Sequence, residues 1–315
     1  MNINKIQNNT NFKSGLTKEI IQMEKKVQPG RIKTSLYNSS YRDWQDFYTL
    51  EFKKNKAHAL ASKLCTDIFI KFREKHDYRK NLSMMDMVLP HGLYVFDEDE
   101  LQNPFPNGEH YHFVIRYSDK NILKNKKYFD RQTIFLNNIF GSLEDINERM
   151  DIIKRKNSAS TGHFLHCHIH EWIHAIQGKL LHHLTADGFS SIGNYKNTYN
   201  YYGTQNLSEK ENEIVADVLG LYAAKQDSST SQYSEIFAEA WTKFICNSLN
   251  KECTGFKKDP ISELKKTPKE FKEIMKKVST IIPINEWGES ESVKPFVSWN
   301  NKWDTKDSKK IFFSL

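Results

Sequence analysis

Polar and apolar positions change their period twice along this chain. Residues 1–35 are polar, rich in Asn and Lys, and end in "QPGR"; they predict a loosely ordered arm with at most one short helix, in "GLTKEIIQMEKKV". From Tyr41 the apolar content rises. Leu50, Phe52, Leu60, Leu64, Ile68 and Phe72 recur at near-helical spacing, which predicts one or two amphipathic helices. After Pro90 the period shortens. "GLYVFDED", "HYHFVIRYS" and "RQTIFLNNIFG" are short, rich in aromatic and β-branched residues and bounded by turn formers, so a small sheet of three or four strands is expected. "SLEDINERMDIIKRK" then opens with a Ser-x-x-Asp capping pattern and predicts a helix.

From Ser160 onward the helical period dominates. A helix is expected over 162–177, stopped by Gly178, followed by the polar, tyrosine-rich loop "ADGFSSIGNYKNTYNYYGTQN". "LSEKENEIVADVLGLYAAKQ" starts with a capping box, Ser208 with Glu211, and "QYSEIFAEAWTKFICNSLN" makes a third helix after the breaker "DSSTS". One more helix is expected from Pro268, before an irregular, Trp-containing end. The resulting division is an arm at 1–35, a main unit at 36–255, and a C-terminal helix and tail at 256–315 packed on it. Within the main unit, 36–90 carry the N-terminal helices, 91–141 the sheet and 142–250 the helical part.

With 315 residues, 38% hydrophobic and 27% charged, the chain can bury a core without staples. The four cysteines are scattered and form no Cys-x-x-Cys pair, so a reducing compartment is expected. The N-terminus has no apolar signal-peptide core, and no run of apolar residues is long enough for a membrane span. The expected location is cytoplasmic, or secreted by a route that needs no cleavable signal. The formal charge of +7 raises a nucleic-acid partner, but the lysines are dispersed and no zinc-finger spacing, phosphate cradle or RNA-binding aromatic strand accompanies them. A solvated basic face is the simpler reading; no nucleic-acid partner is expected.

The chemistry concentrates in "GHFLHCHIHEWIHAIQG", which contains His170-Glu171-Trp172-Ile173-His174. On a helix, residues i and i+4 share a face, so His170 and His174 can reach one ion about a turn apart. Two imidazoles leave tetrahedral zinc needing a third protein ligand and a water. Glu171 can take the proton from that water as it attacks a carbonyl, the division of labour of zinc peptidases. The strand-like "TIFLNN" upstream is expected as an edge that holds an extended peptide.

Two later helices offer the third ligand. "EIVAD" supplies Glu213 with Asp217, and "EIFAE" supplies Glu235 with Glu239; in each the first acid can bind zinc while the second supports a ligand histidine. Glu213 is preferred, because its helix follows the metal helix directly and Gly220 and Ala224 extend a small-residue stripe. Glu209 is a weaker third choice. His163, His166 and His168 read as supporting or packing residues, and Cys167 as filler. His183 or Tyr202 is expected to stabilise a transition-state oxyanion, with His182, Tyr199 and Tyr201 as neighbours of the same kind.

"HEWIH" with a downstream glutamate resembles the gluzincin branch of HExxH zinc metallopeptidases, and "HEWIHAIQG" followed by "ENEIVADVLG" resembles its compact bacterial toxin-associated members. "YSEIFAEAW" is separately similar to the glutamate helix of anthrax lethal factor-like and Pro-Pro endopeptidase-like proteins. The first resemblance carries zinc binding onto His170, His174 and Glu213, the general base onto Glu171 and support onto Asp217; the second carries the ligand onto Glu235 and its neighbour onto Glu239. Together they span about residues 110–245. They imply an α+β, zincin-like fold, mostly helical, with a small mixed or antiparallel sheet before the metal helix. They also imply an endopeptidase with one catalytic zinc, acting on a protein or peptide, in the manner of a bacterial effector inside a host cell. The rival expectation is a binding or scaffold protein with a structural or degenerate zinc site, closed by a fourth ligand such as His166 or Cys167.

Overall fold

The computed structural model describes residues 15–29, 50–51, 53–76, 92–101, 112–114, 133–175, 199–201, 206–226, 229–278 and 281–283. Helix α1, Lys18–Lys26, begins where the Thr17 hydroxyl accepts the Ile20 N–H, and it carries Glu19 in its first turn and Lys25 and Lys26 in its last. Its Ile20 is buried in the core. Leu50, expected on a helix, is instead in strand β1, Leu50–Glu51. Lys53 and Lys54 both take positive φ, 44° and 68°, so the chain turns before α2, Lys56–His76, begins.

The first sheet has the order β1-β2-β4-β3, with β2 Gly92–Phe96, β3 His112–Val114 and β4 Thr133–Asn137. β1 and β4 both run parallel to β2, while β3 runs antiparallel to β4, so the sheet is mixed. This corrects the expectation for "TIFLNN". β4 pairs on both sides and has no free backbone edge; β3 is its outer neighbour. A second ladder pairs β5, Tyr199–Tyr201, with β6, Ile281–Pro283. The tyrosine-rich stretch reads as loop locally, and its strand partner lies far away in sequence.

Helix α3, Leu143–Arg155, has the expected reciprocal cap between Ser142 and Asp145. The next helix, α4, covers 166–175 of the described residues and begins later than its period suggested. Upstream, the Thr161 hydroxyl accepts the His163 N–H and the His163 ring accepts the Leu165 N–H, which holds residues 161–165 in a turn. Helix α5, Glu209–Leu219, starts at the Ser208/Glu211 capping box. It stops at Gly220, whose φ of 106° no helix allows, and α6, Leu221–Ala224, sets off anew. A Cβ at Gly220 would lie 2.8 Å from the Asn157 carbonyl oxygen, so this glycine packs against the turn after α3, not along a stripe facing α4.

Helix α7, Ser229–Ser248, is buried nearly all round; Tyr233, Phe237, Trp241 and Phe244 fill the centre of the core. A short helix α8, Pro260–Lys265, capped by Asp259 with Pro260 in its first turn, precedes α9, Lys269–Val278. α9 buries Phe271, Ile274, Met275 and Val278 and packs on α5 and α7. No helix among the described residues is long and apolar enough to cross a membrane.

Two faces of α4 do different work. Trp172 stacks on Phe69 of α2 with ring centroids 6.0 Å apart, and His168 Nε2 meets His58 Nδ1 at 3.0 Å. His58 Nε2 in turn donates to the Asn137 carbonyl at 2.8 Å, which ties α2, α4 and β4 together. The opposite face presents His166, His170 and His174 to α7.

Candidate metal centre

His166, His170 and His174 are spaced i, i+4, i+8 on α4, and Glu235 and Glu239 are spaced i, i+4 on α7. The two helices therefore set a stripe of imidazoles against a stripe of carboxylates. His170 Nε2 lies 3.0 Å from Glu235 Oε2 and 3.0 Å from His174 Nε2, and His174 Nε2 lies 3.2 Å from the same Glu235 oxygen. All three residues are largely buried; His170 and His174 are each 6% exposed.

With neutral imidazole rings these contacts set acceptor against acceptor. His170 Nδ1 is 3.0 Å from Glu239 Oε2, so the ring proton belongs there and Nε2 carries a lone pair. His174 Nδ1 faces the Ser234 hydroxyl at 3.3 Å; with the ring proton at Nδ1, its Nε2 carries a lone pair toward the Glu235 oxygen as well. Three lone pairs then point at one spot from about 3 Å apart, an arrangement that could hold a cation between them. In a tetrahedral site with bonds of about 2.0–2.1 Å, ligand atoms stand ~3.3 Å from one another, close to the spacing seen here. The donor set of two imidazoles and one carboxylate suits zinc.

Burial alone would lower the His170 pKa, but the carboxylates of Glu235 and Glu239 hold it well above the usual imidazole range. Burial would likewise raise Glu235 and Glu239; the facing histidines hold both well below the usual carboxylate range.

A second cluster shares His170. Glu239 Oε2 takes His170 Nδ1 at 3.0 Å and His166 Nε2 at 3.2 Å, and Glu239 Oε1 accepts the Ser160 N–H at 2.5 Å. Both nitrogens face the oxygen as donors, which makes this a hydrogen-bonded support. The nearby Lys154 and Lys243, each lowered in pKa by burial and each sensing the Glu239 charge, further oppose a cation here.

Of the other expected site residues, Glu171 is half-buried on α4, next to His170. Glu213 and Asp217 are exposed on α5 and are not brought to the histidines; Glu209 is exposed as well. The metal-competent groups found among the described residues combine α4 histidines with Glu235 or Glu239. Glu213 lies on the solvent side of α5, which packs on α9. His182, His183 and Tyr202 lie outside the described residues, as do the side chains of Tyr199 and Tyr201.

Sequence reasoning missed Tyr222. It follows the Gly220 break on α6, its ring centroid is 6.1 Å from that of His170, and its hydroxyl donates to Glu235. Burial and the charges of Glu235, Glu171 and Glu239 push its pKa up, although the residue as a whole is 48% exposed; the hydroxyl end is what meets the carboxylates. Burial pushes the Cys167 thiol up to about 12, and its sulfur contacts Met150 Sδ at 3.3 Å, so it is neutral and packed. A cavity of about 640 Å3 between α1, α2 and the start of α3 is lined by none of the metal-competent residues.

No family model matches this chain, and neither a curated protein nor a solved structure matches it. That finding overturns the resemblance to gluzincins and to the lethal factor-like and Pro-Pro endopeptidase-like proteins. The pair His166/His170 has Cys167 where a His-Glu-x-x-His motif has glutamate. The pair His170/His174 does enclose Glu171, but five residues on a helix do not amount to a family. What the fold brings together is a buried histidine and glutamate cluster across two helices.

Proposed function

We propose that this protein binds one zinc ion through His170, His174 and Glu235. The observation that carries the reading is the convergence of their three lone-pair atoms within 3.0–3.2 Å. That geometry supports metal binding, and a binding protein with a structural ion needs nothing more.

A hydrolytic role for the same centre is supported by what flanks it. Bound zinc supplies Lewis acidity and an acidified water. Among the described residues the cluster offers three ligands, which leaves a fourth position for water or substrate. Glu171, half-buried beside the pair, is suited to accept the water's proton and pass it to a leaving amine. The Tyr222 hydroxyl, at Glu235, is suited to donate to a developing oxyanion. A protein or peptide amide is the substrate class such a set would take.

The test begins with metal content. Purified protein is expected to hold about one zinc per chain, and H170A with H174A to hold none. Glu171→Gln is then expected to keep zinc while any cleavage of a peptide library falls by about 10²-fold or more. Stoichiometric zinc in a protein that cleaves no library peptide favours the structural ion; absence of zinc refutes the site.

A further inference from the structure

His166 repeats the ligand spacing one turn before His170 yet stands away from the Glu235 oxygen. It is 5% exposed, and its ring lies nearly parallel to that of His170, 18° between planes with centroids 6.1 Å apart. Among the described residues its Nδ1 has no hydrogen-bond partner, so a neutral ring keeps its one N–H at Nε2, where Glu239 Oε2 accepts at 3.2 Å. We propose that His166 is a positioning residue for the metal centre: its N–H fixes Glu239 so that this carboxylate holds His170 in the Nδ1–H tautomer, with Nε2 left as the ligand atom. This rests on the zinc-binding reading above.

The carboxylate is held at both ends. Ser160 N–H fixes Oε1 at 2.5 Å, and the two imidazoles fix Oε2 at 3.0 and 3.2 Å. Removing His166 frees one of the two bonds on Oε2 in a site where Glu239 is 1% exposed and water cannot replace it at will. Glu239 could then rotate toward Ser160 and the charges of Lys154 and Lys243, which both act on it, and loosen its grip on the His170 ring. A residue that only packs would need the volume of an imidazole and not its N–H. A second metal ligand would have to turn its lone pair, not its proton, toward Glu239.

The test compares zinc affinity, by competition with a chromophoric chelator, in the full chain and in H166F, H166Q, E239Q and H166F/E239Q. Unfolding followed in EDTA reports whether each variant folds; should H166F not fold, the flexible apolar H166M takes its place. H166F is expected to weaken zinc about 10–100-fold, and H166Q, whose amide can still donate, to stay within about threefold of the parent. H166F is expected to add little in the E239Q background, because both act on one oxygen. In the zinc-loaded chain, imidazole nitrogen NMR is expected to report a slowly exchanging Nδ1–H on His170 in the parent and H166Q, and a faster-exchanging one in H166F.

Parental affinity and an unchanged His170 signature in H166F overturn the proposal, as do fully additive losses in the double variant. A parent chain that binds no zinc overturns the centre itself, which the affinity of the unsubstituted protein distinguishes at once.

Discussion

Acidification is expected to unfold this protein through histidines outside the His170/His174/Glu235 cluster, His58 foremost. His58 is fully buried between α2, α4 and β4, where burial, opposed by its bond to the Asn137 carbonyl, lowers its pKa from 6.5 to about 4. A depressed folded-state pKa means that the unfolded chain takes up the proton first, so the stability is fully present above pH 6.5 and is lost as pH falls through about 4. At pH 5 the unfolded imidazole is favoured about 30-fold by protonation while the folded one has scarcely begun to titrate. That ratio corresponds to about 2 kcal/mol. His163, lowered to about 3 by burial and then by the charges of His166 and Lys257, contributes in the same direction over the same window.

His170 acts the other way. Its folded pKa is raised, so its contribution is fully present below pH 6.5; between pH 7 and 5 it offers less than about 1 kcal/mol of opposing gain. Two depressed histidines therefore outweigh one raised one. The assay is urea unfolding of metal-free protein at pH 7 and pH 5, for the parent and for His58→Gln. The variant is expected to be weaker at pH 7, by roughly 1–3 kcal/mol, because two buried hydrogen bonds are disturbed. Its further loss on going to pH 5 is expected to be smaller than the parent's by about 2 kcal/mol. Parallel pH dependence in the two proteins would refute the burial argument, whatever their difference at pH 7.

Three other outcomes follow from the same geometry. Glu235→Gln is expected to weaken zinc at least about 100-fold, since it removes a charged ligand, while Glu213→Gln leaves affinity unchanged; equal losses in direct zinc titrations would return α5 to the site. Gly220→Ala is expected to cost about 2 kcal/mol or more in thermal or urea unfolding, because φ 106° strains any side chain and the new Cβ meets the Asn157 carbonyl at 2.8 Å; an unchanged midpoint would contradict the close approach. Tyr222→Phe is expected to keep zinc within about threefold, since only a hydrogen bond to Glu235 is lost. Any hydrolysis by that variant is expected to fall about 10-fold or more, and full retained turnover would exclude the hydroxyl from the reaction.

The sequence by itself determined the local facts. Capping residues at Ser142 and Ser208 marked the starts of α3 and α5, and the i, i+4 spacing put His170 and His174 on one face of α4. Short-range rules decide those features, because each depends on residues within one or two turns. The tertiary structure decided which acid meets the histidines. Glu213 and Glu235 both open a carboxylate pair with a small residue in between, so no local pattern separates them. The choice fell to packing: α7 lies against α4 with its core aromatic residues buried, Glu213 stands on the exposed face of α5, and Tyr222, past the turn at Gly220, meets Glu235. The interior place of β4 and the pairing of β5 with β6 were settled in the same way, by contacts between segments far apart in the chain. A pattern that repeats every few residues tells which face a side chain shares, and only the packed core tells what that face meets.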